Sequence, residues 1–419
     1  MRPPAVQRTL AILVGGGPAP GINAVVEAAT LAARAEGWRV LGIPWGFSRL
    51  MLGETALARE LDETAVAGIA VRGGSVLHTS RANPTKDPAT LARVVRSLET
   101  LGVTDLVTIG GDDTASSALR VATEAGGRVR VVHVPKTIDN DLPLPRSQPT
   151  FGFETAKHLG SRLVRNLAED ARTTGRWYLV TAMGRTAGHL ALAMGVGGGA
   201  ALTVIPEEFA ADRKIRVADL AGLVEAAVLK RLAAGERHGV AVLAEGLLDR
   251  LPPEDVADLA SVERDEHGHP RLSEISLGKV LRDVLGTRLK QRGIDTSFVA
   301  KEIGYELRCE DPVAHDVQYA RGLGVGAVRL LAAGASGVLV ALVHGELTPI
   351  PFGDIRDPAT GRVRVRLVDA SGDAWRHALA LQARLRPRDL EGESLKRLAE
   401  ASRESPEALV ARLSPHVLR

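Results

Sequence analysis

Two short loops carry the residues of this chain whose types and spacing could do chemistry. Gly110-Gly111-Asp112-Asp113 follows the apolar run Leu106 to Ile109, and Lys136-Thr137-Ile138-Asp139-Asn140-Asp141 follows the apolar run Val131 to Val134. Because parallel strands present ligand-binding loops at their carboxyl ends, both loops are expected at one edge of a sheet. Four carboxylates and a lysine gathered there are costly unless they share a metal ion, a proton or a phosphate. This combination is typical of phosphoryl transfer.

Transfer of a phosphoryl group to an alcohol needs an anion-binding loop, a metal ion and a base for the incoming hydroxyl. Asp112 is the predicted Mg²⁺ ligand, because Mg²⁺ takes one or two carboxylates and fills its other positions with phosphate and water. Asp139 is the predicted base, and Lys136 can neutralise the phosphoryl group during transfer. An Asx-type turn explains Asp139 and Asp141 equally well when those two acids are considered in isolation.

A third loop, Gly15-Gly16-Gly17-Pro18-Ala19-Pro20-Gly21, lies between the apolar strand Thr9 to Val14 and the alanine-rich helix Ile22 to Glu36. This order directs backbone N–H groups and the positive end of a helix at an anion. The spacing matches neither the P-loop nor the dinucleotide-binding pattern, so on its own the loop is better explained as a simple turn. Arg81 could clamp a phosphate, although on its own a solvated loop arginine explains it better.

Four charged residues lie at the ends of further predicted strands and are expected on the same edge as the acidic loops: Arg176, Arg185, Glu245 and Arg308. Arginines hold a phosphate through paired N–H donors, and carboxylates hold sugar hydroxyls. A single charged residue at a strand end is usually solvated, but four at one edge favour a binding site.

Strands and helices alternate along all 419 residues, which predicts an α/β protein with two doubly wound parallel-sheet lobes. The expected lobes are residues 1–145, which bind the donor and Mg²⁺, and residues 146–345, which bind the acceptor. This division leaves room for the chain to return to the first lobe near its C-terminal end. Residues 346–419 form a C-terminal extension without an assignable motif, and the charged run 250–271, with His267 and His269, is expected to be an exposed insertion.

The composition excludes several classes of function. The 53 basic and 50 acidic residues are interspersed without a basic block, which argues against nucleic-acid binding. No run approaches the ~18 apolar residues that span a bilayer. A lone cysteine, Cys309, excludes an intrachain disulfide, and residues 1–8 lack the apolar core of a signal peptide. The protein is therefore expected in the cytoplasm, without membrane or nucleic-acid partners.

Seven segments, in this order and at plausible spacing, resemble the 6-phosphofructokinase family over roughly residues 9 to 345. They are Gly15 to Asn23, Gly110 to Thr114, Pro135 to Asp141, Thr150 to Phe153, Met183 to Arg185, Ala244 to Gly246 and Tyr305 to Arg308. The resemblance implies two phosphofructokinase-like lobes with the active site in the cleft between them. It also implies that Gly16, with Gly111 and Arg81, contacts the phosphoryl donor, and that Asp139 deprotonates the 1-hydroxyl of fructose 6-phosphate.

Further site residues follow from the resemblance alone. The family's fructose 6-phosphate positions fall on Thr137, Ile138, Asp139, Met183, Gly184, Arg185, Glu245, Tyr305 and Arg308. Arg176 falls where the family lends an arginine across a subunit interface, which implies a homodimer or homotetramer.

Asp113 and Lys136 bear on the choice of donor. ATP-using members of the family have glycine at both positions, whereas pyrophosphate-using members have aspartate and lysine, so the resemblance implies pyrophosphate. A carboxylate at Asp113 would repel the additional phosphate of a nucleotide, and Lys136 would restore positive charge beside the shorter donor. Tyr305 also stands where pyrophosphate-type members depart from the histidine of ATP-dependent members.

The sequence leaves three alternative functions open. Arg81 aligns with a nucleotide-phosphate clamp, which leaves an ATP-dependent 6-phosphofructokinase open. A lipid or NAD kinase shares a glycine-rich acidic loop but would lack Met183-Gly184-Arg185 and Tyr305 to Arg308. A catalytically silent sugar-phosphate-binding subunit is opposed by the presence of Asp112, Lys136 and Asp139.

Overall fold

The computed structural model describes residues 8–257, 276–359 and 363–418. The chain packs as two compact units, each built from two segments of sequence. The first unit comprises Met1–Ala156 and Glu306–Arg366, and the second comprises Lys157–Tyr305 and Leu367–Arg419. The sequence predicted divisions after residues 145 and 345 instead, and the functional lobes with those bounds stay a prediction. The predicted insertion at 250–271 lies mostly outside the described residues, as do His267 and His269.

Strands form the centre of both units. Those in the described residues are β1 (Thr9–Val14), β2 (Arg39–Ile43), β3 (Arg59–Glu60), β4 (Asp105–Gly110), β5 (Arg130–Pro135), β6 (Arg176–Ala182), β7 (Leu202–Val204), β8 (Gly239–Ala244), β9 (Ser297–Ile303), β10 (Val338–Val343) and β11 (Glu346–Pro351). The sheet of the first unit has the order β11-β10-β5-β4-β1-β2-β3, with only β3 and β11 antiparallel to their neighbours among its described strands. In the second unit the order is β7-β8-β6-β9 and every described pairing is parallel.

Helices connect these strands and cover the sheets. Those in the described residues are α1 (Ile22–Ala35), α2 (Ser48–Leu52), α3 (Pro88–Thr100), α4 (Asp112–Ala125), α5 (Phe153–Thr174), α6 (His189–Gly198), α7 (Val217–Ala233), α8 (Pro253–Ala257), α9 (Leu277–Gln291), α10 (Ala314–Ala332), α11 (Asp373–Ala380), α12 (Gly392–Ser402) and α13 (Pro406–Leu413). None of the described helices is both long enough and apolar enough to cross a bilayer.

The central strands are buried, which explains why they appear in the sequence as short apolar runs. Every residue of β1, β4 and β8 is buried, because helices cover both faces of a parallel sheet. β1 occupies the residues predicted for it. The prediction of an α/β protein with two sheets of mainly parallel strands is confirmed.

Strand order determines which loops meet in each unit. In the first unit β5, β4 and β1 are neighbours, so the loops that begin at Lys136, Gly111 and Gly15 leave the same edge of the sheet. In the second unit β8, β6 and β9 are neighbours, and their carboxyl ends lead to Glu245, Met183 and Tyr305. Each unit therefore gathers its own group of predicted site residues.

Candidate active site

The first glycine loop is packed so tightly at Gly15 that this glycine cannot be replaced without movement of its neighbours. Gly15 N–H donates to the carbonyl oxygen of Ile109 at 2.8 Å, and Gly16 N–H donates to that of Ser80 at 2.8 Å. A Cβ on Gly15 would lie 2.3 Å from Thr114 Oγ1, which is well inside van der Waals contact. Gly16 has φ of 82°, a left-handed conformation that favours glycine. Arg81 is exposed and directly follows Ser80, so it lies beside this loop.

The second glycine loop ends β4 and starts α4. A Cβ on Gly110 would lie 2.4 Å from Thr114 Oγ1, so the same threonine packs against both glycine loops. Asp112 is half-buried and Asp113 is exposed, and both occupy the first turn of α4. The positive end of the helix stabilises carboxylates there. The carboxylate of Asp112 is therefore favourably placed at this helix end and remains partly accessible to solvent.

Lys136 connects the end of β5 to the first glycine loop. Its side chain is only 5% exposed, and Nζ donates to the carbonyl oxygen of Gly17 at 2.5 Å. Nζ also lies 3.3 Å from the position that a Cβ on Gly16 would take. Nη1 of Arg308 lies 3.3 Å from the Cβ position of Gly17. Two cations thus lie beside a loop whose glycine backbone leaves room for phosphate oxygens.

The turn after Lys136 is organised by short polar contacts. Asp139 N–H donates to Thr137 Oγ1 at 3.0 Å, Thr150 Oγ1 donates to the carbonyl oxygen of Thr137 at 2.7 Å, and Thr150 N–H donates to Asn140 Oδ1 at 3.2 Å. Asn140 is left-handed, with φ of 58°. Asp139 and Asp141 are buried, at 7% and 9% exposed. We refer to residues 137–148 below as the acidic turn.

Ile138 belongs to the packing of the acidic turn. It is 4% exposed, and its Cγ2 lies 3.3 Å from the Cβ position of Gly152. Its side chain therefore fills apolar space, and the contribution that remains for a ligand is that of its backbone.

His133 supports this edge of the sheet, and sequence reasoning missed it. The imidazole is fully buried, with Nδ1 2.8 Å from Thr108 Oγ1 and Nε2 3.0 Å from the carbonyl oxygen of Gly110. Burial lowers the pKa of His133 from 6.5 to about 3, so the ring is neutral. Because a carbonyl only accepts, Nε2 carries the hydrogen and Nδ1 accepts from Thr108. The available signal was a polar pair, Thr108 and His133, in register on adjacent apolar strands.

In the second unit, Glu245 shapes the loop that follows β6. Its Oε2 accepts from the N–H groups of Gly184 and Arg185, each at 3.2 Å. Met183 N–H donates to the carbonyl oxygen of Ile303 at 3.0 Å. Arg185 is exposed and left-handed, with φ of 50°. Glu245, predicted to contact the sugar, therefore also fixes the backbone that presents Arg185.

Two more carboxylates near this loop were not predicted. Glu207 Oε1 accepts from the N–H of Gly188 at 2.8 Å and from that of Val368 at 3.0 Å. Burial raises the pKa of Glu207, and burial together with the nearby charge of Glu245 raises the pKa of Asp249. Glu207 joins the end of the Met183 loop to the C-terminal segment, a contact that no local pattern could have indicated.

Arg176 lies at the other end of its strand, so its expected position on the same edge is wrong. It begins β6, whereas Met183 and Arg185 follow the last residue of that strand. At ~3.3 Å per residue the two ends are about 20 Å apart. Its Nε lies 4.0 Å from Asp170 Oδ2. Tyr305, by contrast, lies two residues after the end of β9 and is 75% exposed.

Glycine loops at the carboxyl ends of neighbouring parallel strands, with cations and carboxylates beside them, define a phosphate-binding α/β protein. The sequence pattern named Phosphofructokinase matches residues 9–331, and the chain belongs to the phosphofructokinase family.

Two relatives extend along almost the whole chain. The pyrophosphate–fructose 6-phosphate 1-phosphotransferase of Thermotoga maritima is 47% identical, over 91% of this chain and 92% of its own. The enzyme of the same name from Naegleria fowleri is 45% identical, over 96% and 94%. Among solved structures, the pyrophosphate-dependent phosphofructokinase of Nitrosospira multiformis superposes with a TM-score of 0.67 at 16% identity, over 90% of this chain and 91% of its own. That structure supports the fold alone.

Proposed function

We propose that the protein transfers a phosphoryl group from pyrophosphate to the 1-hydroxyl of D-fructose 6-phosphate, giving fructose 1,6-bisphosphate and phosphate. The observation that carries the proposal is the contact of Lys136 Nζ with the first glycine loop. The names of the two full-length relatives support the same reaction. Donor and product phosphates are similar in energy, so the reaction is reversible and can serve glycolysis or gluconeogenesis. Its cytoplasmic location is part of the proposal.

Charge beside the glycine loops supports pyrophosphate as the donor. Lys136 lies against Gly16 and Gly17 and can neutralise a compact, highly charged anion. Asp113 is exposed on the first turn of α4, where its carboxylate repels any additional phosphate of a longer donor. The same two residues therefore attract one donor and disfavour the other.

Asp112 fits a magnesium ion carried in with the donor. No cluster of three or more His, Cys, Asp or Glu able to hold a metal occurs in the described part of the chain. Mg²⁺ does not need one, because one or two carboxylates suffice when phosphate oxygens and water complete its shell. When bound, the ion would neutralise charge that develops on the transferred group.

Asp139 is the proposed base. It would take the proton of the 1-hydroxyl while that oxygen forms a bond to the terminal phosphorus, the bond from phosphorus to the bridging oxygen breaks, and phosphate departs. Its backbone is fixed by Thr137 Oγ1, and burial of its carboxylate strengthens its interaction with a nearby hydroxyl. Lys136 would accompany the phosphoryl group as it moves.

The acceptor, fructose 6-phosphate, would be held by the residues that the family resemblance assigns to it. We assign this role to Thr137, Ile138, Met183, Gly184, Arg185, Glu245, Tyr305 and Arg308. Arginines pair with the 6-phosphate, and Glu245 fixes the loop that carries Arg185. Arg176 would act from a neighbouring subunit, in a homodimer or homotetramer.

A coupled assay of fructose 1,6-bisphosphate formation tests the proposal directly. With Mg²⁺ and fructose 6-phosphate, kcat/KM for pyrophosphate should exceed that for ATP by at least about 100-fold. Equal or greater kcat/KM with ATP would overturn the donor assignment and favour the ATP-dependent alternative. That alternative rests on Arg81, which lies beside the first glycine loop.

A further inference from the structure

Arg366 reaches the acidic turn from a part of the chain that has no assigned role. It lies beyond residues 9–331, the extent of the family match, and 226 residues after Asn140. The sequence predicts only an extension without a motif from residue 346 onward. In the first unit, however, the segment around Arg366 runs alongside the acidic turn.

The guanidinium of Arg366 donates in three directions to the acidic turn. Nε donates to the carbonyl oxygen of Asn140 at 3.0 Å, Nη1 donates to that of Gln148 at 2.8 Å, and Nη2 donates to Asn140 Oδ1. The backbone N–H of Arg366 donates to the carbonyl oxygen of Asp141 at 2.7 Å. One residue thus holds Asn140, which is left-handed, together with Asp141 and Gln148, the last residue of the acidic turn.

The charge of Arg366 suits this position. Burial lowers the pKa of its guanidinium, and the negative charge of Asp141 acts in the opposite direction. Asp141 is 9% exposed, so without a cation nearby its charge would be costly. A lysine could supply the charge, but it lacks the planar fork that reaches Asn140 and Gln148 together.

We infer that Arg366 is a positioning residue for the phosphoryl-transfer reaction. It fixes the acidic turn at the residue next to Asp139, and therefore the direction of the Asp139 carboxylate toward the acceptor hydroxyl. This inference rests on the proposed role of Asp139 as base. It makes a segment outside the family match part of the catalytic machinery.

Kinetics of Arg366 variants test this inference. Arg366→Gln and Arg366→Lys should each lower kcat by about 10- to 100-fold, because a shift of ~1 Å in a reacting group costs that much. KM for fructose 6-phosphate should change by less than about threefold, because no sugar-phosphate contact is removed. The matched control is Arg364→Gln. Arg364 is exposed and donates to the carbonyl oxygen of Asp354, away from the acidic turn.

Two further measurements separate positioning from loss of folding. Methylguanidinium should restore part of the activity of Arg366→Ala, whereas methylammonium should not, because only the planar cation supplies the fork. In an Asp139→Asn background, adding Arg366→Gln should lower kcat by no more than about twofold, because residues that act as a unit are non-additive.

The outcomes distinguish this inference from the proposed function. A wild-type protein that phosphorylates fructose 6-phosphate with neither pyrophosphate nor ATP would overturn the proposed function itself. An active wild type in which Arg366→Gln and Arg364→Gln have equal kcat would overturn only the role of Arg366. A fall in kcat of Arg366→Gln that matches its unfolded fraction, measured by circular dichroism, would also overturn the role of Arg366. A full additive loss of kcat in the Asp139→Asn background would do the same.

Discussion

Lys136 reaches from the end of one strand to the loop at the end of another. Its ammonium group contacts the carbonyl oxygen of Gly17 and lies close to Gly16, so glycine at position 136 would remove a fixed charge from the first glycine loop. Asp113 acts at the same edge with the opposite sign. At the scale of single residues, the proposed choice of donor therefore depends on a pair of charges rather than on the shape of the loops.

Replacing Asp113 and Lys136 together by glycine should shift the preference toward ATP. The double variant loses the carboxylate proposed to repel a longer donor and the ammonium proposed to neutralise the shorter one. The ratio of kcat/KM for ATP to that for pyrophosphate should rise by at least about tenfold. Steady-state assays with each donor measure this ratio, and the two single variants serve as controls. An unchanged ratio would place the discrimination elsewhere, with Arg81 as the next residue to test.

At the scale of secondary structure, a buried aspartate ties the start of α5 to α10. Asp316 lies in the first turn of α10, where its Oδ1 accepts from Gly152 N–H at 2.9 Å and its Oδ2 accepts from the N–H and the hydroxyl of Thr155 at 2.7 and 2.5 Å. Thr155 Oγ1 in turn accepts from Val313 N–H at 3.0 Å. The first turn of each helix thus satisfies donors of the other, next to the strand-like segment that pairs with Lys136.

Asp316→Ala should lower the free energy of unfolding by about 3 kcal/mol, because several buried donors lose their acceptor at once. Asp87→Ala is the matched control. Asp87 caps α3 through Ala89 and Thr90 N–H but is exposed, so its loss should cost only about 1 kcal/mol. Urea unfolding followed by circular dichroism measures both values. Equal losses for the two variants would contradict the role assigned to burial.

Much of the element order could be predicted from the sequence, since buried parallel strands such as β1 and β6 appear as apolar runs followed by glycine or charged residues. Local patterns also located the three loops of the first unit. What they missed depends on distant partners. Arg366 and His133 act through contacts that exist only after folding. The position of Arg176 was predicted wrongly because a charged residue beside an apolar run can lie at either end of the strand.

At the scale of the whole molecule, the C-terminal residues are part of the second unit rather than an addition to it. Leu385, Leu398, Leu409 and Leu413 are buried in the same core as Trp177. Arg384, 5% exposed, pairs with Glu208 at 2.5 Å. Because the core is completed by this segment, the stability of the second unit depends on it.

Leu385→Ala should cost about 3 kcal/mol of stability, because it leaves a cavity in the core of the second unit. Leu381→Ala is the control, because Leu381 is 74% exposed whereas Leu385 is fully buried. Truncating the exposed Leu381 should change the free energy of unfolding by less than about 0.5 kcal/mol. Thermal unfolding of the two variants and the wild type compares them. A similar melting temperature for both variants would show that the C-terminal segment does not support the core.

The division of each unit into two segments has a consequence for synthesis on the ribosome. The first unit can be completed only when residues 306–366 join residues 1–156. The second unit can be completed only when residues 367–419 join residues 157–305. Apolar surfaces of both units are therefore exposed while most of the chain emerges, which invites aggregation and makes the nascent protein a natural client for chaperones.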